Sequence, residues 1–97
     1  MIAKVHDTEN GIIVVVCDSD LIGKKFEEND KQLDLASGFY DGEEMDELEI
    51  ADLMRNAHIV HLVGEKAVNL GVKEEVVDKK NITYVQGIPH AESILND

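Results

Sequence analysis

The sequence predicts an α+β fold, a two-layer sandwich with a mixed sheet of four to five strands that starts with a β-hairpin and carries two to three helices on one face. Three observations predict it. Two strand-like runs, Ile2–Thr8 and residues 12–18, flank Glu9-Asn10-Gly11, and Asn-Gly tolerates the positive φ values of a tight hairpin turn. Asp46 and Glu49 have the spacing of a capping box ahead of Ile50, Leu53, Met54 and Ala57, which share one helical face. Ile59-Val60 and Leu62-Val63 then precede Gly64 as a buried strand running into a second helix.

In order along the chain, the β-branched run Val14-Val15-Val16 places the second strand inside the sheet rather than at its edge. Asp18-Ser19-Asp20 offers a cap for one turn over residues 21–23. Residues 31–36 alternate polar and apolar, with Leu33 and Leu35 on one side, as a third, half-buried strand would. Ser37-Gly38 and Asp41-Gly42 bracket Phe39-Tyr40 in a loop. From Asp41 to Asp52 there are seven acids and no base, and acids in a first helical turn are favoured by the helix dipole, so a solvated face accounts for the run. Residues 57–63 fit either a continuing helix or a strand, and their Ile and Val content favours the strand. The second helix is expected over residues 65–70 with Gly71 as its left-handed stop. Residues 72–80 follow as a short amphipathic turn or helix, 82–85 as a strand, and 91–95 as a closing helix or strand.

Residues 1–97 read as one domain, long enough to bury roughly 60 to 65% of the unfolded surface without a staple. The single Cys17 excludes an intramolecular disulfide and reads as a small core residue in a reducing, cytoplasmic setting. No apolar run approaches the roughly 20 residues of a membrane span and no basic leader precedes one, so neither a membrane nor an export role is expected. Twenty-one acids against nine bases give a net charge of -12, and the bases occur as pairs, Lys24-Lys25 and Lys79-Lys80, rather than as a stripe. Such a field repels phosphate backbones, which argues against direct nucleic-acid binding and leaves a basic protein, or a complex that contains RNA, as an open partner.

The chemistry-bearing candidates lie in the second half. Pro89 limits the backbone that presents His90, and whether the Ile88-Pro89 bond is cis is open from sequence. His90 is therefore the first-ranked candidate, as a general base or hydrogen-bond donor oriented by Glu65 or Glu92. Gly64-Glu65-Lys66 at a helix start could present N–H groups to an anion, although one glycine is a weak signal and Glu65 repels anions. The strand carrying 82–85 is expected to bring Gly87, Pro89 and His90 to the same sheet end as Gly64, Glu65 and Lys66, giving His90 a carboxylate partner. His58 and His61, three apart, would share a side on a helix but oppose each other on a strand, so no metal ligands are assigned and no cofactor is expected. No Ser or Cys nucleophile is placed by a motif.

Leu62-Val63-Gly64-Glu65-Lys66-Ala67-Val68 and Gly87-Ile88-Pro89-His90-Ala91, together with Leu21-Ile22-Gly23-Lys24-Lys25-Phe26 and Phe39-Tyr40 before an acidic helix start, resemble a small archaeal family known as domain of unknown function 424. The resemblance covers nearly the whole chain in order. Members favour Asn where this chain has His61 and Gln where it has Glu92, so His58 and His61 are not carried over as family ligands. The resemblance implies an archaeal source, an α+β two-layer domain, an association with translation and no established activity. Three function classes follow: a non-catalytic interaction module with a translation-associated protein partner, using Gly64, Glu65, Lys66, Gly87, Pro89 and His90; a small-molecule binder or small enzyme centred on His90, Glu65 and Lys66; and a divalent-metal-binding protein.

Overall fold

The first two strands form from alternating, β-branched sequence, as their composition requires. In the computed structural model, which describes residues 1–95, β1 (Ile2–Thr8) and β2 (Gly11–Cys17) pair antiparallel from Thr8 with Gly11 to Ile2 with Cys17. The turn itself is Glu9-Asn10, and it is Gly11 that takes the positive φ, 121°, where any Cβ would lie 2.9 Å from that of His58.

After a single 3-10 turn at Ser19–Leu21, β3 (Lys25–Glu28) and β4 (Lys31–Asp34) pair with each other around Asn29, whose φ is 57°. The expected third strand at 31–36 therefore belongs to a separate two-stranded sheet, not to the main one. Next come β5 (Glu43–Glu44), α1 (Glu47–Arg55), β6 (Ile59–Val63), α2 (Glu65–Lys73), β7 (Thr83–Val85) and β8 (Ile88–Ile94). The main sheet runs β5-β1-β2-β6-β8-β7, with only β2 and β6 parallel. It thus has six strands where four or five were expected. With 31–36 removed to the other sheet, the additions are β8, where helix or strand was left open, and β5, two glutamates held at the edge by Ile2 and Ala3.

Both helices pack on one face of this sheet. Val14 and Val16 from β2, Val60 and Leu62 from β6 and Ala91 from β8 meet Ile50 and Met54 of α1 and Ala67, Val68 and Leu70 of α2. The capping box of Asp46 and Glu49 starts α1 as its spacing requires. On the opposite face Cys17, Val63 and Val85 pack under Leu21, Leu33 and Leu35. An isolated two-stranded hairpin is marginal in water, and burying Leu33 and Leu35 at about 1.5–3 kcal/mol each is what holds β3 and β4 in place. The two-layer expectation is corrected to two layers plus this partial third.

Gly71 does not stop α2. The helix continues through it to Lys73, and a Cβ at Gly71 would overlap Leu62 Cδ1, so the glycine lets the helix approach β6 closely. Residues 72–80 hold the helix end and turns, leading into a 3-10 turn at Lys79–Asn81. Residues 91–95, expected as helix or strand, are taken up by β8 as far as Ile94.

Candidate functional site

The strands β6 and β8 bring the two motif segments together. Val63 pairs with His90, and one step further Gly64 N–H donates to Pro89 O at 2.8 Å. The Gly64 carbonyl turns into the helix and accepts from Val68 N–H at 2.9 Å, so the sheet needs no donor from residue 89 at that point. A proline inside a sheet is tolerated because β6 ends opposite it. The expected neighbour of β6 was the strand at 82–85. The observed neighbour is β8 itself, and β7 is reached from it through a two-residue turn, Gln86-Gly87, with φ 51° and 78°. No peptide bond among the described residues is cis.

Gly64 has no side chain with which to cap α2, and Asp18 supplies the acceptors from the end of β2. Its carboxylate takes Lys66 N–H at 3.0 Å and Ala67 N–H at 2.8 Å, the second and third helical donors that an N-cap side chain ordinarily satisfies. Asp18 is 8% exposed, the one buried charged group among the described residues. Gly64 at φ 104° leaves room for it, since a Cβ there would come within 2.6 Å of Asp18 Oδ2. The helix dipole and its Lys66 and Ala67 donors are thus satisfied internally, which leaves the anion-cradle chemistry expected of Gly64-Glu65-Lys66 without those two donors. It also corrects the local role expected for Asp18, whose side chain makes no hydrogen bond to the turn at Ser19–Leu21.

Around this junction lie two depressions that share Glu65 and Pro89. One, of about 280 Å³, is lined by Asp20, Leu21, Gly64, Glu65, Lys66 and Ile88, and the other, of about 230 Å³, by Val68, Ile82, Tyr84 and Gly87. Five of the six predicted residues, Gly64, Glu65, Lys66, Gly87 and Pro89, line this surface. Tyr84 stands beside them on edge strand β7, 54% exposed.

His90 does not join them. Along β8, Ala91 is buried with the helices, so side chains alternate and His90 and Glu92 project from the other face. The expected carboxylate partner is replaced by Thr83, whose Oγ1 lies 2.8 Å from His90 Nε2. Glu92 pairs with His61 instead, at 3.2 Å. These groups, with Tyr40, Leu33 and Asn81, line a cleft of about 370 Å³ beside the β3–β4 hairpin. Burial pushes the His90 imidazole below its ordinary value, helped by Lys31 and His61, which favours the neutral ring with its one donor and one acceptor. Burial likewise pushes the Tyr40 phenol up, helped by Cys17 and Asp34. Phe39 stacks on His6, ring centroids 4.8 Å apart, and meets His61 edge to face at 5.2 Å.

His58 lies before β6, exposed, and does not meet His61 as a ligand pair. Among the described residues, no three His, Cys, Asp or Glu side chains converge as a metal site requires. No helix among them is long and apolar enough to cross a membrane. Cys17 is buried beneath the hairpin, its thiol pushed up to about 12 by burial and then by Asp18 and Asp20. Sequence reasoning missed Asp18 and Tyr84. Nothing local marks Asp18 as the cap of a helix 48 residues away from its Lys66 donor. Tyr84 was signalled only as an aromatic on a short strand.

The model of the family described as "Protein of unknown function (DUF424)" matches residues 5–94. An uncharacterized conserved protein from Methanopyrus kandleri, known from its crystal structure, is similar in fold with a TM-score of 0.79 and 21% identity, over 99% of this chain and 93% of its own. No curated protein matches the sequence.

Proposed function

We propose, for a chain that belongs to the DUF424 family of proteins of unknown function, that it is a non-catalytic interaction module of the archaeal cytoplasm, binding a basic, translation-associated protein through the surface around Glu65, Pro89 and Tyr84. One observation carries this reading: an exposed tyrosine on an edge strand lines a depression with apolar walls at Val68, Ile82 and Pro89 and a carboxylate at Glu65, and a second depression, lined by Leu21, Ile88 and Asp20, shares Glu65 and Pro89 with it. Tyrosine next to such a depression is the usual anchor of a protein interface. A net charge of -12 adds a field that draws in a basic partner and repels bare RNA. Affinity capture of the tagged protein from an archaeal host, with mass spectrometry and RNA recovery, tests it. Ribosomal or initiation proteins recovered with the wild type and lost with Tyr84→Ala support the reading, since truncating an anchor costs about 2 kcal/mol, or roughly 30-fold in affinity. Equal capture by the variant refutes the surface, and capture of none refutes the function.

A second reading is small-molecule binding in the cleft of His61, His90 and Thr83. It is favoured by a volume of about 370 Å³ and by the lowered imidazole of His90. Glu65 and Lys66 take no part in it, being on the helix side of the sheet. A ligand retained by the purified protein in native mass spectrometry and displaced by His90→Ala would favour this reading over the first.

A further inference from the structure

The opposite edge of the sheet holds backbone groups that the fold leaves unpaired. His58 N–H donates to Ile12 O at 2.8 Å and Asp18 N–H to Val63 O at 3.0 Å, so alternate residues of β2, from Ile12 to Asp18, aim their main chain at β6. Ile13, Val15 and Cys17 consequently aim theirs at β1, where their partners are His6, Lys4 and Ile2. Ala3, Val5 and Asp7 must then point outward. Ala3 is covered by Glu43 of β5, and Met1 O accepts from Met45 N–H at 3.0 Å. Past Ala3 the covering chain leaves the edge: Gly42 crosses so close that a Cβ would overlap Ala3 O, and its N–H turns back to Tyr40 O at 2.9 Å. The N–H and C=O of Val5 and Asp7 meet no protein partner among the described residues.

An outward row of strand donors and acceptors is a template for another strand. Beside it runs a groove of about 440 Å³ bounded by Val5, Asp41, Gly42, Glu43 and Met45. Val5 and Ile12 are 41% and 38% exposed, and as partners of Val14 and Asp7 they lie on the helix-side face, where an alternating strand would set its apolar residues. The exposed charges along the edge are Asp7, Glu9, Asp41 and Glu43, against the half-buried Lys4.

We infer that the free edge of β1 at Val5 to Asp7 is a strand-addition site for an extended, base-rich segment of a partner protein. The charge decides the occupant. A second copy of this chain would bring the same acids to the same edge and a net charge of -12 to each side, whereas a strand alternating Lys or Arg with apolar residues pairs the acids and fills the groove. This surface lies at the other end of the sheet from Tyr84, so the inference stands independently of that interface.

The test is amide exchange followed by NMR, with a capped peptide alternating Lys and Val and a matched peptide alternating Glu and Val. The Lys-Val peptide should slow exchange at Val5 and Asp7 at least about tenfold while leaving β7 unaffected. Val5→Pro removes one outward donor and should abolish the effect. If that variant fails to fold, the Asp7→Lys and Asp41→Lys double variant should reverse the preference toward the Glu-Val peptide. Protection by neither peptide, or equal protection by both, overturns the inference. Protection that grows with protein concentration alone overturns it in favour of self-pairing.

Discussion

Replacing Asp18 by alanine should destabilise this protein more than any surface acid could. The carboxylate accepts from Lys66 N–H and Ala67 N–H at 3.0 and 2.8 Å, the second of these buried. For the part-buried Lys66 N–H, losing an N-cap acceptor costs about 0.5–2 kcal/mol. Leaving a buried N–H without a partner adds about 1–3 kcal/mol, because water cannot reach Ala67 to replace the lost bond. A total near 3 kcal/mol is a large part of the 5–15 kcal/mol available to a small domain, and at about 4–8 °C per kcal/mol it lowers Tm by about 12–24 °C. Asp18→Asn keeps the shape but turns an amide NH2 toward one of the two donors, so it should recover less than half of the loss. Urea unfolding followed by circular dichroism measures both, and exchange at Lys66 and Ala67 locates the effect at the start of α2. A loss below about 0.5 kcal/mol for Asp18→Ala, the range of ordinary surface changes, would refute the cap.

Two further outcomes follow from titration and burial. His90 has its imidazole lowered in the folded state by burial and by Lys31 and His61, so the unfolded chain binds the extra proton first. Stability should therefore be complete above the ordinary imidazole value of 6.5, fall as pH drops below it toward the folded value, and lose that slope in His90→Gln. Unfolding titrations between about pH 5 and pH 8 check the sign, and an unchanged slope in the variant assigns the dependence elsewhere. Cys17, buried and with its thiol pushed up to about 12, should resist alkylation in the native protein and react on unfolding; fast labelling at neutral pH without unfolding would contradict its packing under Leu33 and Leu35.

Features written within a few residues of one another were legible from sequence. The Asp46 and Glu49 box is a contact across three residues, and the first hairpin is closed by its own turn. The elements that escaped are those whose stability is supplied from elsewhere. β5 is Glu43-Glu44, among the poorer strand formers, and exists because Ile2 and Ala3 leave an edge beside it. β3 reads Lys-Phe-Glu-Glu, and its hairpin is held by the burial of Leu33 and Leu35 against the sheet rather than by its own pattern. Gly71 carries the same local sign as a helix stop, yet the deciding contact is with Leu62 on β6.

The candidate site divides along the same line. Gly64 and Pro89 meet, but through the pairing of β6 with β8 rather than with the strand at 82–85 that the sequence suggested as the neighbour. That His90 and Glu65 do not share a site follows from the period of two in a strand. Pro89 carries its carbonyl to Gly64, Ala91 is buried under α2, and the residue between must therefore face the other layer. Had residues 88–94 been read as one strand, the separation could have been deduced from Ala91 alone. With strands expected only at 82–85 and 91–95, the residues between them carry no parity. Proline is normally excluded from an interior strand because it cannot donate, but here the missing donor falls where β6 has already turned into α2. The same turn creates the need for Asp18, since a glycine chosen for close approach at Gly64 cannot cap its own helix. The close passage of two backbones thus accounts together for the proline, the glycine and the distant carboxylate, and it places the exposed edge at Tyr84, rather than the imidazole of His90, next to the residues that the motif singled out.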